Sequence, residues 1–211
     1  MKRFFILLLT FGVLFQLSAA TNWYAEKFPK QLVDAAGKPV SASSLRGKMV
    51  AVYFSASWCG PCRNFTPKLV KFYKRVAKKS NIEIVFVSSD NNRQAMRDYM
   101  KKDRMPWLAI PYNASERMAL KKALRVNGIP TLIVFDANGK IISSDARWDV
   151  EMLEEKAVKA WQSPNYKPRT YQDYRNKKSI RAKRNPRIKP KTAKSSCGSS
   201  CGTTKKIVRR K

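Results

Sequence analysis

The chain has 211 residues, with 44 Lys plus Arg against 14 Asp plus Glu, four Cys and no His. Its length and 44% hydrophobic content suit one globular domain with appendages. Without His there can be no Ser-His-Asp or Cys-His hydrolase, no histidine base, no haem on an axial His and no His-ligated zinc; cysteine is left to carry any chemistry.

The excess charge is unevenly placed. Pro164 to Lys211 holds seventeen Lys and Arg against the single acid Asp173, a net +16, leaving +14 over the first 163 residues. Its large aliphatics are little more than Ile180, Ile188, Ile207 and Val208. Such a segment buries too little apolar surface to offset its ordering entropy, so residues 164–211 are expected to be a basic tail, disordered in isolation.

At the other end, Lys2 and Arg3 precede a run from Phe4 to Leu17 that is apolar apart from Thr10, Gly12 and Gln16, and Ser18-Ala19-Ala20 follows with small residues. This order reads as a signal peptide over residues 1–20, cleaved after Ala20. The run falls short of the roughly 20 residues that cross a bilayer, and an uncleaved anchor is the alternative. A secreted or periplasmic setting lets disulfides persist.

Residues 21–163 read as the domain. Phe28 to Val40 makes two short extended pieces about a turn at Ala36-Gly37. Met49 to Phe54 and Ile82 to Val87 are apolar, β-branched runs expected as buried strands. Between them Phe65, Leu69, Phe72, Tyr73 and Val76 recur at helical spacing. Helices are predicted over Arg93–Lys102, Ser115–Val126 and Asp149–Trp161. Thr131 to Phe135 is a further strand, and Asn138-Gly139 predicts a two-residue hairpin to a strand over Lys140–Ser143. The order implies an α/β fold, a sheet with helices on both faces.

The chemistry sits in Trp58-Cys59-Gly60-Pro61-Cys62, at a strand-to-helix junction. Two thiols at this spacing can close a small disulfide. Free N–H groups and the helix dipole favour a thiolate at Cys59, the expected nucleophile, while Cys62, one turn in, suits the resolving role. Pro61 fits a first helical turn, where its missing N–H costs nothing. A structural bridge or half a zinc site are the other readings; with no second CxxC and no His, no metal is expected.

These residues, with Gly128-Ile129-Pro130-Thr131 about 70 residues later, resemble the thioredoxin superfamily. Tyr53 to Arg63, Phe65-Thr66-Pro67 and Met105 to Tyr112 are similar to tryparedoxins and nucleoredoxins over nearly all of residues 28–160. The resemblance implies a thioredoxin-like fold with a central mixed sheet and a redox-active Cys59–Cys62 disulfide in place of any cofactor. It further implies a cis bond at Ile129-Pro130 opposite the cysteines, substrate backbone held by Ile129, and Trp58 covering the disulfide. Gly60 and Pro61 complete the active-site turn. Trp107 is expected to pack in the core. Two departures stand out. Many thioredoxins place a buried acid where this chain has Tyr53, so the resemblance leaves the proton acceptor for Cys62 unassigned, a place that water can fill. Tryparedoxins commonly carry Pro at the position of Gly60.

A second pair, Cys197 and Cys201, lies in a Gly/Ser-rich stretch of the tail; it is either a local bridge or a dithiol exchanging with Cys59–Cys62. The basic clusters suit an anionic envelope surface. Nucleic acid is disfavoured by export, although Tyr166, Tyr171 and Tyr174 could stack on bases. The expected function is therefore an exported thiol-disulfide oxidoreductase acting on protein disulfides with an external electron donor or acceptor. A polyanion-binding protein with a thioredoxin-like scaffold is the alternative.

Overall fold

A computed structural model describes residues 22–184. The expected signal peptide and the pair Cys197 and Cys201 lie outside the described residues. Seven strands form one mixed sheet in the order β2-β1-β5-β4-β3-β6-β7. Its centre is β3 (Met49–Ser55), parallel to β4 (Ile82–Ser88) on one side and antiparallel to β6 (Thr131–Phe135) on the other. Outside β4 lie β5 (Leu108–Ala109), β1 (Gln31–Val33) and β2 (Pro39–Ser41), and β7 (Ile141–Ser143) closes the opposite edge.

All seven residues of β3 are buried because both faces of the sheet are covered. Side chains alternate across a strand, so Met49, Ala51 and Tyr53 point one way and Val50, Val52 and Phe54 the other. The first set packs with α2 (Gly60–Val76), α3 (Arg93–Lys102), α5 (Arg147–Leu153) and α6 (Lys156–Trp161). The second packs with α1 (Trp23–Lys27), a 3-10 turn at Ala42–Leu45 and α4 (Glu116–Ala123). Trp107 is 1% exposed and meets Tyr53 and Tyr73 edge-on, in keeping with a packing residue.

Two expectations need correction. The loop after β6 has three residues rather than two: Asp136 N–H donates to the Lys140 carbonyl at 2.9 Å, and the Asp136 carboxylate accepts from the amides of Asn138 and Lys140. Asp34-Ala35-Ala36-Gly37-Lys38 makes the same turn with the same bonds. The aspartate side chain sets the loop length, which the Asn-Gly pair alone does not reveal. Gly139 has φ +84°, and a Cβ there would lie 2.4 Å from the Trp23 ring, which stacks on Phe135.

The helix expected over Asp149–Trp161 is two helices, broken where Glu154 takes φ +52°. Apolar spacing carries no signal for a left-handed glutamate.

Past Ser163 the described residues continue into a further helix. The folded unit runs to Tyr174, and α7 (Tyr171–Arg184) is helical. The Thr170 hydroxyl accepts from Asp173 N–H at 3.2 Å while the Asp173 carboxylate accepts from Thr170 N–H at 2.9 Å. This reciprocal pair caps the helix start. A second unit begins at Arg175 and is helical to Arg184.

Candidate functional site

The site forms where β3 runs into α2. Cys59 is the N-cap of α2, with extended backbone, and its sulfur accepts the Cys62 N–H at 3.2 Å. Cys59 and Cys62 are joined in a disulfide. Cys59 keeps 5% of its surface accessible and Cys62 none, so access to the pair is through Cys59. Pro61 occupies the first turn and Gly60 opens the helix.

Sheet register brings in the second segment. Phe54 faces Thr131 across the β3–β6 pair, so the chain entering β6 lies beside the chain leaving β3. The Ile129–Pro130 bond there is cis, and the Ile129 carbonyl oxygen lies 3.6 Å from Cys59 Sγ. Residues 70 positions apart thus flank one sulfur. Trp58 is 57% exposed, and its indole N–H donates to the Ser89 carbonyl at 3.2 Å, which fixes the ring at the rim.

Two polar clusters that sequence reasoning missed support this geometry. Asp90, 4% exposed, accepts from Ser57 N–H and Ser57 Oγ at 2.7 Å on one carboxylate oxygen, and from Ser88 Oγ at 2.7 Å on the other. It ties the turn before Trp58 to the end of β4. Tyr112 reinforces the link by donating to the Asp90 carbonyl at 3.1 Å, and Arg117 stacks over the Tyr112 ring. The only sequence signal was a lone acid at the end of an apolar strand.

Behind Cys62 lies a cluster of hydroxyls. Thr66 Oγ1 donates to the Cys62 carbonyl at 2.9 Å and lies 2.8 Å from Tyr53 Oη and 2.6 Å from Tyr99 Oη. Ser55 Oγ lies 3.1 Å from Tyr99 Oη. Burial raises the pKa of both Tyr53 and Tyr99 above the ordinary phenol value, and the charges of Tyr99 and Asp103 respectively push in the same direction. Both phenols are therefore neutral at physiological pH. Tyr53 stands where a thioredoxin acid would and cannot accept a proton there. Its role in the ground state is to hold Thr66, and through it the first turns of α2.

A recess of about 180 Å3 lies beside the active-site turn, lined by Pro61, Asn64, Phe65, Pro130, Arg147, Trp148 and Glu151.

The family profile described as thioredoxin-like matches residues 47–141. Tryparedoxin of Trypanosoma brucei brucei is 47% identical over 110 residues, which is 51% of this chain and 75% of that protein. Human nucleoredoxin is 41% identical over 116 residues, 54% of this chain but 26% of that protein, so the chain spans about a quarter of its length. The solved structure of tryparedoxin from Trypanosoma brucei superposes with a TM-score of 0.60 at 40% identity, covering 66% of this chain and 97% of that one. The chain belongs to the thioredoxin-like family, its domain being related to tryparedoxin and nucleoredoxin and carrying at Cys59–Cys62 the redox-active cysteine pair of such an oxidoreductase.

Proposed function

We propose that the protein is an exported thiol-disulfide oxidoreductase that reduces protein disulfides through Cys59 and Cys62. The observation that carries this reading is the asymmetry of the pair: Cys59 caps a helix N-terminus and alone reaches the surface, while Cys62 is sealed behind it. Once the disulfide is reduced, the free amides and dipole of α2 favour thiolate at Cys59. Cys59 attacks one sulfur of a substrate disulfide, forming a mixed disulfide and releasing the other substrate sulfur as a thiolate. Cys62 then attacks the Cys59 sulfur, the Cys59–Cys62 bond re-forms, and the second substrate thiol leaves. Two electrons pass to the substrate, and an external dithiol must return them.

Ile129, through its backbone beside Cys59, is placed to hold an extended substrate segment, with Pro130, Gly60, Pro61 and Trp58 shaping the surface around it. The Lys2-Arg3 start, the apolar run to Leu17 and Ser18-Ala19-Ala20 support export. The Gly60-Pro61 dipeptide, like that of thioredoxin, supports the reducing direction.

The test is the midpoint potential of the pair in a protein carrying Cys197→Ser and Cys201→Ser, by thiol trapping across a graded dithiol buffer. A value near −270 mV is expected for a reductant, and one between about −120 and −180 mV would overturn that direction in favour of an oxidase or isomerase. N-terminal sequencing of the protein from its native cell should begin at Thr21; a chain retained in the cytosol with Met1 intact would remove export.

A further inference from the structure

The recess beside the active-site turn has one wall that the thioredoxin-like chemistry does not require. Pro61 lies between the cysteines and Pro130 follows the carbonyl that abuts Cys59, so the recess shares two of its lining residues with the surroundings of Cys59. Its far side is Trp148. At about 180 Å3 the recess is smaller than the roughly 300–1,000 Å3 of sites that enclose a small molecule, and it suits a single side chain.

Trp148 is held by residues from beyond the end of the family match at residue 141. Its ring lies 5.1 Å from that of Tyr171 and 5.2 Å from that of Tyr174, with the Arg147 guanidinium 5.1 Å from its centre. Tyr171 and Tyr174 are three residues apart in α7 and so share a helix face. The neighbouring Asp149 anchors the segment before this helix: fully buried, it accepts from Trp161 Nε1 at 3.0 Å and from the Tyr166 hydroxyl. The Thr170–Asp173 cap then starts the helix where both rings meet Trp148. Adjacent residues, Trp148 and Asp149, thus fasten the extension beside the site.

We propose that the C-terminal extension sets substrate specificity. Tyr171 and Tyr174 hold Trp148 as an apolar wall of the recess, and that wall receives an apolar side chain flanking the disulfide of an extended protein substrate. Trp148 is the contact residue; Tyr171 and Tyr174 are positioning residues. The wall is continuous with Pro61 and Pro130, so a bound segment meets it without leaving the site.

This inference rests on the proposed exchange with protein disulfides. The experiment compares the full chain with its Y171A/Y174A and Y171F/Y174F variants, on insulin with dithiothreitol as reductant, and on the small disulfide 5,5′-dithiobis(2-nitrobenzoate) by single-turnover attack of the pre-reduced proteins after the dithiothreitol has been removed. For Y171A/Y174A the KM for insulin should rise roughly three- to tenfold with kcat retained, the span of a lost aromatic contact. Attack on the small disulfide should change less than twofold, and Y171F/Y174F should behave as the parent. Unchanged insulin KM in Y171A/Y174A would overturn the inference, as would equal losses on both disulfides. Failure of the parent itself to reduce insulin would instead remove the underlying reading, and this inference with it.

Discussion

The two cysteines are three residues apart, yet the structure surrounds them with opposite materials. On the Cys59 side the supports are the carboxylate of Asp90, backbone carbonyls at Ser89 and Ile129, and an exposed indole. On the Cys62 side they are neutral hydroxyls sealed from water: Tyr53, Ser55, Thr66 and Tyr99. A carboxylate can be nearly buried at Asp90 because three donors converge on it. Behind Cys62 the hydroxyls satisfy one another, so the resolving cysteine rests on a wall that does not change charge in the physiological range. The comparison assigns accessibility to one sulfur, and rigidity to the other.

The largest effects should separate the sulfurs themselves. Cys59→Ser should abolish exchange, whereas Cys62→Ser should still attack once and accumulate a mixed disulfide, visible by mass spectrometry with a disulfide-bonded protein. Mixed disulfides forming equally well on either variant would erase the asymmetry.

Next comes the carboxylate. Asp90→Ala strands the fully buried Ser88 hydroxyl, at about 1–3 kcal/mol for a buried donor left unsatisfied, together with the half-buried Ser57 amide and hydroxyl, which water partly satisfies, so a stability loss of about 2–4 kcal/mol is expected by urea unfolding. Thr66→Val, on the opposite side, should cost less, about 1–2 kcal/mol, because Tyr99 keeps Ser55 as a partner while Tyr53 loses its hydrogen bond to Thr66. A larger loss at Thr66 than at Asp90 would mean that the interior wall, and not the loop tether, is the principal support.

Most of this arrangement could be read from residue order, and the exceptions have physical reasons. The strands Met49–Phe54, Ile82–Val87 and Thr131–Phe135 were legible because burial on both faces demands mostly apolar runs, broken in them only by Glu83 and Thr131. The cysteine pair was legible because its spacing and place before a helix are local features. Asp90, Tyr99 and Thr66 were not, since each acts on a partner 4 to 44 residues away and nothing in their neighbourhoods announces it. The contacts made by residues 164–174 were hidden for a different reason. Net charge dominated the reading of residues 164–174, while three tyrosines and the Thr170–Asp173 cap were enough to fasten the segment.

The smallest expected effect tests whether the interior wall stays neutral. Burial raises the pKa of Tyr53 in the folded chain, while the unfolded chain titrates near the ordinary value of about 10. Below that pH both states carry the proton and stability is flat with respect to this group. Above it the unfolded state loses the proton first and is favoured, so stability falls as pH rises towards the folded value, by at most about 1.4 kcal/mol per pH unit. Tyr53→Phe removes that slope and also a hydrogen bond to Thr66, so at pH 8 the variant should be less stable than the parent by about 1 kcal/mol. Between pH 10 and 11 the gap should close, and urea unfolding of both proteins across pH 8–11 measures it. Tyr73 and Tyr166 are raised as well and contribute to the parent and the variant alike, whereas Tyr99 is coupled to Tyr53, so the difference reads the Tyr53–Tyr99 pair. A gap that stays constant through pH 11 would mean that the phenol titrates alike in folded and unfolded chains, and that the wall behind Cys62 is open to water after all.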